Sequence, residues 1–156
     1  GTGRVLQGYK ADGVTEIAKE DLLYTDADFL IPAALEGQIT ADNADRVKAK
    51  YIVEGANGPT SYEADQILNA KGKIVVPDIL ANAGGVIVSY FEWVQNLQSL
   101  SWSLEEVNNK LADILLKAFD EVYGLTEERG YPMRTSAYII ALRRLVKTKK
   151  IRGIFP

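Results

Sequence analysis

The chain has 156 residues, enough for one domain with a sizeable core, and its 47% hydrophobic and 25% charged content is that of an ordinary globular protein. Eighteen Lys and Arg stand against 21 Asp and Glu, a net charge of −3, so there is no electrostatic footprint for nucleic acid or an anionic membrane surface. Cysteine and histidine are absent, which excludes disulfides, thiolate nucleophiles, Cys/His zinc sites and a histidine general base.

No run approaches the roughly 18 apolar residues of a membrane span, and the first residues do not read as a signal peptide. A cysteine-free chain is compatible with the cytoplasm, the location expected here. Residues 1–14 are glycine-rich without a period and read as loop. Their Gly1-Thr2-Gly3 is the only Gly-x-Gly in the chain, and Leu6 stands where a third glycine would belong. It reads as a loop piece or a cloning remnant, so no residue is assigned to a pyrophosphate.

Glu16 to Thr25 predicts a short helix with Leu22 and Leu23 on its apolar face. Phe29-Leu30-Ile31 predicts a short buried strand stopped by Pro32. Thr40 is a candidate cap for a helix through about Val47. Tyr51-Ile52-Val53 is the next strand, and Thr60 with Glu63 reads as a capping box for a helix to about Asn69, ended by Gly72. Ile74-Val75-Val76 is a third strand, closed by Pro77. A helix from about Gly85 to Leu97 follows. Ser103 and Glu106 form a second capping box, opening a long helix to about Arg129 with the stripe Val107, Leu111, Ile114, Ala118, Val122 and Leu125. Gly130 and Pro132 break it, and a last helix runs from Thr135 to about Lys149. Lys147 to Arg152 is the only basic run and reads as a solvated helix end, where cations complement the dipole.

Strands alternating with helices imply a parallel sheet. About three strands followed by three helices make only half of a doubly wound sheet, so the chain reads as the back half of a larger domain. A sheet cut in this way would expose an edge and apolar surface, and self-association is expected.

Two strand-to-helix loops carry the chemistry. One is Glu54-Gly55-Ala56-Asn57-Gly58-Pro59-Thr60; the other runs from Pro77-Asp78-Ile79-Leu80-Ala81-Asn82 through Ala83-Gly84-Gly85-Val86. In a parallel sheet this is where a ligand lies. Gly55, Gly58, Gly84 and Gly85 would let backbone approach it without a Cβ. Asn57 and Asn82 each offer a donor and an acceptor, suited to a carboxamide or a sugar hydroxyl, or else are turn residues. Asp78 invites a catalytic role, although a carboxylate that fixes backbone amides is the preferred reading. Tyr90, Phe91 and Trp93 read as core or interdomain packing, and Arg134 and Tyr138 as structural.

These two loops, with Ser89-Tyr90-Phe91-Glu92-Trp93, Ile31-Pro32-Ala33-Ala34-Leu35, Met133-Arg134-Thr135-Ser136-Ala137-Tyr138 and Arg152-Gly153, resemble glutamate dehydrogenase, specifically the C-terminal part of the cofactor domain in the hexameric bacterial and archaeal enzymes. The resemblance covers essentially the whole chain. It implies a fold class of α/β, a partial Rossmann-like doubly wound sheet of about three strands followed by C-terminal helices. Residues 1–156 would be a single domain, the C-terminal piece of a dinucleotide-binding domain without its phosphate-loop half.

The reaction implied is reversible oxidative deamination of L-glutamate to 2-oxoglutarate and ammonia with NAD or NADP, in a homo-oligomer. By the same resemblance, Ala33 and Ala34 line the adenosine or ribose side of the cofactor. Asn57 meets the nicotinamide ribose or carboxamide, and Asn82 the nicotinamide amide or nearby substrate. Val86 and Ser89 face the glutamate side chain, with the Ser89 hydroxyl on its γ-carboxylate. The family's catalytic lysine and aspartate lie in an N-terminal domain that this chain does not match. No catalytic residue is therefore assigned, no metal site is expected, and the chain alone is expected to be inactive. The alternatives are a dehydrogenase of leucine, phenylalanine or valine, against which Gly58-Pro59-Thr60 and Ser89 argue, and a non-catalytic nucleotide-binding or assembly module.

Overall fold

The structure is a computed structural model and describes residues 8–153. The Gly1-Thr2-Gly3 run and the closing Ile154-Phe155-Pro156 lie outside the described residues. The sheet has three parallel strands in the order β1 (Phe29–Leu30), β2 (Tyr51–Val53) and β3 (Ile74–Val76). Tyr51 is the register partner of both Phe29 and Ile74. Among the described residues five α-helices accompany them: α1 (Tyr62–Ala70), α2 (Asp78–Ala81), α3 (Gly84–Gln98), α4 (Leu104–Arg129) and α5 (Met133–Arg152).

Strand alternation sends successive side chains to opposite faces, and each face meets its own helices. Ile52 and Val75 point to one side, where they pack with Ile39, Val47, Ala64 and Leu68 under α1. Full burial of Ile39, Ile52 and Leu68 contributes about 2 kcal/mol each. Ile74 and Val76 point to the other side, against Leu80, Val122, Met133 and Ala137 of α2, α4 and α5. The sheet is thus covered on both faces, as in a partial Rossmann-like fold. On the second face, an apolar groove of about 570 Å³ stays open beside Phe29, Tyr51, Val53, Phe119 and Tyr123. Phe29 stacks on Tyr51 at 4.9 Å between ring centroids yet keeps 60% of its surface exposed, so β1 is an edge strand and not the buried one expected.

Several local expectations need correction. The segment expected as a helix over Glu16 to Thr25 is a 3-10 helix over Lys19–Tyr24 with no buried residue and no side-chain cap, and Leu22 is exposed. The helix expected from Thr40 is only a 3-10 turn over Ala44–Arg46. The Asn43 side chain accepts the Thr40 N–H at 2.9 Å and donates to the Gln38 carbonyl at 2.9 Å, and the Ala44 N–H reaches the Thr40 carbonyl at 2.9 Å, but the turn is not continued past Arg46. The cap of α1 is Ser61, whose hydroxyl accepts the Ala64 N–H at 3.2 Å. Thr60 instead pairs with Ile39 in a β-bridge, buried, with its hydroxyl unpartnered among the described residues.

The capping box of α4 forms as expected, and Gly130 ends that helix in the left-handed region. The inward stripe uses Leu115, whereas Ile114 is exposed. Helix α5 begins at Met133 rather than Thr135, and its basic end from Lys147 is exposed. No helix among the described residues is long and apolar enough to cross a membrane.

Candidate functional site

All three strands run parallel, so the loops after β1, β2 and β3 emerge at one edge of the sheet. Between them lies an open cleft of about 710 Å³. Ala33 and Ala34 line it from the first loop, Asn57 from the second, and Asn82 and Val86 from the third. Ser89 is exposed one turn beyond Val86 on α3 and does not line the cleft. Glu36, Leu35, Gly55 and Ala56 complete the wall; of these only Gly55 was singled out from sequence.

The loops are tied to one another by backbone and by side chains. Ala56 donates its N–H to the Pro32 carbonyl at 2.8 Å. At Gly55 a Cβ would stand 3.0 Å from the Ala33 Cβ, so this glycine lets two loops touch each other rather than a ligand. Gly58 has φ +55°, a left-handed turn that favours glycine. Gly84 faces Leu111 and Leu115 of α4 and not the cleft, while Gly85 borders open space. Across the cleft, the Asn82 amide donates to the Asn57 side-chain carbonyl at 2.7 Å. That leaves the Asn57 amide group and the Asn82 carbonyl without protein partners among the described residues. Together they present one donor group and one acceptor to the cleft.

Asp78 is the first residue of α2, a four-residue helix that was not foreseen, and is partly rather than fully buried. It does fix backbone amides: its carboxylate accepts from Gly58 at 2.8 Å and from Ile79 at 2.8 Å. Behind it lies a cluster that sequence reasoning missed. Glu54, at the end of β2, is fully buried; it accepts the Asp78 N–H at 2.8 Å and pairs with Arg134 at 2.7 Å. Arg134 also reaches Asp65 at 3.4 Å and Asp78 at 3.3 Å. Burial alone would disfavour the charged guanidinium, but its hydrogen bond and charge pairing with Glu54, and then with Asp65, outweigh this and raise its pKa above the usual arginine value. The signal available in the sequence was Glu54 itself. A carboxylate directly following a buried strand must find a cation or several donors.

Of the aromatic residues on α3, Phe91 is buried and meets Trp102 edge-on at 5.6 Å between centroids. Tyr90 and Trp93 are exposed, 58% and 57%, so among the described residues they are not core. They lie on the solvent side of α3, which packs against α4 through Gly84.

Comparison with known proteins places this geometry. The family profile described as Glutamate/Leucine/Phenylalanine/Valine dehydrogenase matches residues 2–153. Glutamate dehydrogenase of Thermotoga maritima is 57% identical over 140 residues, covering 90% of this chain and 34% of that enzyme. The NADP-specific glutamate dehydrogenase of Synechocystis is 54% identical over 138 residues, 88% of this chain and 32% of its own. The NAD-specific enzyme of Staphylococcus aureus is 52% identical over 137 residues, 88% and 33%. Among solved structures, the hetero-hexameric glutamate dehydrogenase of Thermus thermophilus in its Leu-bound form superposes with a TM-score of 0.84 at 37% identity, over 92% of this chain and 35% of that one. The chain spans about a third of the length of the curated relatives it matches. With a matching profile over nearly its whole length and a fold that superposes on a solved glutamate dehydrogenase, the chain belongs to the Glutamate/Leucine/Phenylalanine/Valine dehydrogenase family.

Proposed function

We propose that this chain is the C-terminal part of the dinucleotide-binding domain of an NAD(P)-dependent glutamate dehydrogenase, and that its cleft holds the nicotinamide half of the cofactor. The observation that carries this is the Asn57–Asn82 pair, with one free amide group and one free carbonyl among the described residues, in the lining of the cleft. A nicotinamide carboxamide is the complementary object, itself one acceptor and one donor group. The lining fits an uncharged ring and ribose: Ala33, Ala34 and Ala56 carry small side chains, and Glu36 is the only charged residue in the wall among the described residues.

Bound there, the cofactor would supply hydride chemistry at its nicotinamide ring. The residues of this chain orient and do not react. Asn57 and Asn82 fix the carboxamide and thereby the face of the ring that is presented. Ala33 and Ala34 border the ribose or adenosine side. Val86 gives an apolar wall to the substrate's methylenes, and Ser89 a hydroxyl for the distal carboxylate of glutamate. The acid–base groups of the deamination and the substrate-binding lysines belong to the remainder of the family polypeptide. The same reading has the enzyme cytoplasmic and oligomeric, a hexamer of identical subunits, with glutamate and 2-oxoglutarate as its substrates.

Replacing the matching third of the Thermotoga maritima enzyme with this chain tests the proposal. The chimera is expected to reduce NAD or NADP in the presence of glutamate, and far more slowly with leucine or phenylalanine. A folded chimera that binds neither nucleotide would overturn the cofactor assignment. One that binds nucleotide but prefers an aliphatic amino acid would overturn the choice of glutamate.

A further inference from the structure

Arg134 sits on α5, outside the cleft wall, and belongs to a stretch to which the proposed chemistry gives no part. Its contacts nevertheless run to both asparagine loops. One guanidinium reaches Glu54 at 2.7 Å, Asp65 at 3.4 Å and Asp78 at 3.3 Å, from three different segments of the chain. Glu54 is three residues before Asn57, and its second carboxylate oxygen accepts the Asp78 N–H. Asp78 is four residues before Asn82; its carbonyl accepts the Asn82 N–H at 3.1 Å, and its carboxylate accepts the Gly58 N–H at 2.8 Å, directly after Asn57. The Gly58 carbonyl is held in turn by the Gly37 N–H at 2.9 Å.

We propose that Arg134 is the positioning residue of the cleft, a single cation that bridges Glu54 and Asp78 and so fixes the spacing between Asn57 and Asn82. Its effect on cofactor binding rests on the nucleotide reading of the cleft; its effect on loop geometry does not. Without the guanidinium, Glu54 and Asp78 would be two carboxylates joined through a backbone amide with no cation between them. Repulsion would move α2 away from β2 and pull Asp78 off the Gly58 amide. A lysine would restore the charge but not the fork that spans three carboxylates, because an ammonium is a single point of contact. Geometry, and not charge alone, is what the site needs from this position.

The test compares Arg134→Lys with Val122→Ala, a core truncation beside Leu80 and Met133 that removes no hydrogen bond or ion pair of the cluster. Two readouts are taken on the 156-residue chain: the exchange protection and amide shift of Gly58, and the affinity for NADH by nucleotide fluorescence. Arg134→Lys is expected to cut the protection of the Gly58 amide, and the NADH affinity, by about tenfold. Val122→Ala is expected to lower thermal stability while leaving both unchanged. A Gly58 amide unaltered by Arg134→Lys overturns the proposal, as does equal loss of protection in Val122→Ala, which would mean general loosening. If the unsubstituted chain does not bind NADH, the nucleotide reading fails, and the Gly58 amide alone still decides the positioning role.

Discussion

The side-chain amide of Asn82 donates to the side-chain carbonyl of Asn57 at 2.7 Å, closing a link between loops 25 positions apart in the chain. The bond sets which group each asparagine turns to the cleft. Because Asn57 spends its carbonyl on Asn82, its amide group remains free. Asn82→Asp exchanges that donor for an acceptor, and the two residues can stay bonded only if the Asn57 amide turns round. The cleft would then meet a carboxylate and a carbonyl where it now has a donor group and an acceptor. Binding of NADH to the chain is expected to weaken by about tenfold or more, at a stability cost below about 1 kcal/mol because the pair is exposed. Paired calorimetric titrations and urea melts separate the two quantities. Equal affinity in the variant would remove the asparagine pair from the binding site.

The contact between Gly55 and Ala33 yields a prediction about stability. Gly55 does not have a positive φ, so an added methyl there meets a neighbour and not a strained backbone. That neighbour is the Ala33 Cβ at 3.0 Å, with the Ala33 Cα at 3.4 Å. Gly55→Ala is expected to cost about 1–2 kcal/mol by forcing the first two loops apart. Adding Ala33→Gly should return most of this loss. A double-mutant cycle in urea measures the coupling, and strictly additive losses would show that the two loops are not held by this contact.

The elements with strong periodicity were legible, and those decided by tertiary contacts were not. Helix α4 could be read from its capping box to its terminal glycine because Ser103, Glu106 and Gly130 act locally. The stretch after Thr40 looked like a helix start, and a first turn does form with the Ala44 N–H on the Thr40 carbonyl, but the backbone turns extended at Val47, whose side chain is drawn into the core under α1. Thr60 and Glu63 had capping-box spacing, but Thr60 was needed as a bridge partner of Ile39, and Ser61 took the cap. In the candidate site, Asn57 and Asn82 could be named because loops at the ends of parallel strands bind ligands. Arg134 could not, since it reaches Glu54 from 80 positions away and only the fold brings them together.

Acid sensitivity should be traceable in part to the start of α4. The backbone N–H of Ser103, and then its hydroxyl, hold the Glu106 carboxyl below the ordinary glutamate value. A group whose folded-state pKa is depressed stabilises the fold above its unfolded pKa, and this contribution is lost as pH falls through the folded value. Glu106→Gln keeps the shape of the capping box and cannot titrate there. It should lower the melting temperature slightly at neutral pH and make no difference at strongly acid pH, where both side chains are uncharged. A gap that stays constant across that range would assign the effect to packing and not to charge. Ser103→Ala, which removes the hydroxyl half of the box, is expected to cost about 1 kcal/mol at neutral pH.

Ser89 offers the sharpest test of substrate choice. A helical serine commonly turns its hydroxyl back to the carbonyl four residues earlier. Thr148 does this in α5, donating to the Arg144 carbonyl at 3.0 Å. Ser89 makes no side-chain hydrogen bond among the described residues and is exposed on α3, one turn past Val86, which lines the cleft. Its hydroxyl is therefore available to a ligand lying along that helix. For glutamate, the hydroxyl would meet the distal carboxylate; for an aliphatic amino acid, it would face a methyl group and lose a hydrogen bond to water. Ser89→Val, made in the chimeric enzyme, is expected to lower kcat/KM for glutamate relative to leucine by roughly tenfold to a hundredfold. The affinity for NADH should not change, because the residue lies beyond the asparagine pair. An unchanged ratio of the two substrates would remove Ser89 from the substrate site while leaving the cofactor cleft intact. A parallel loss of NADH affinity would mean instead that the substitution had displaced α3 as a whole.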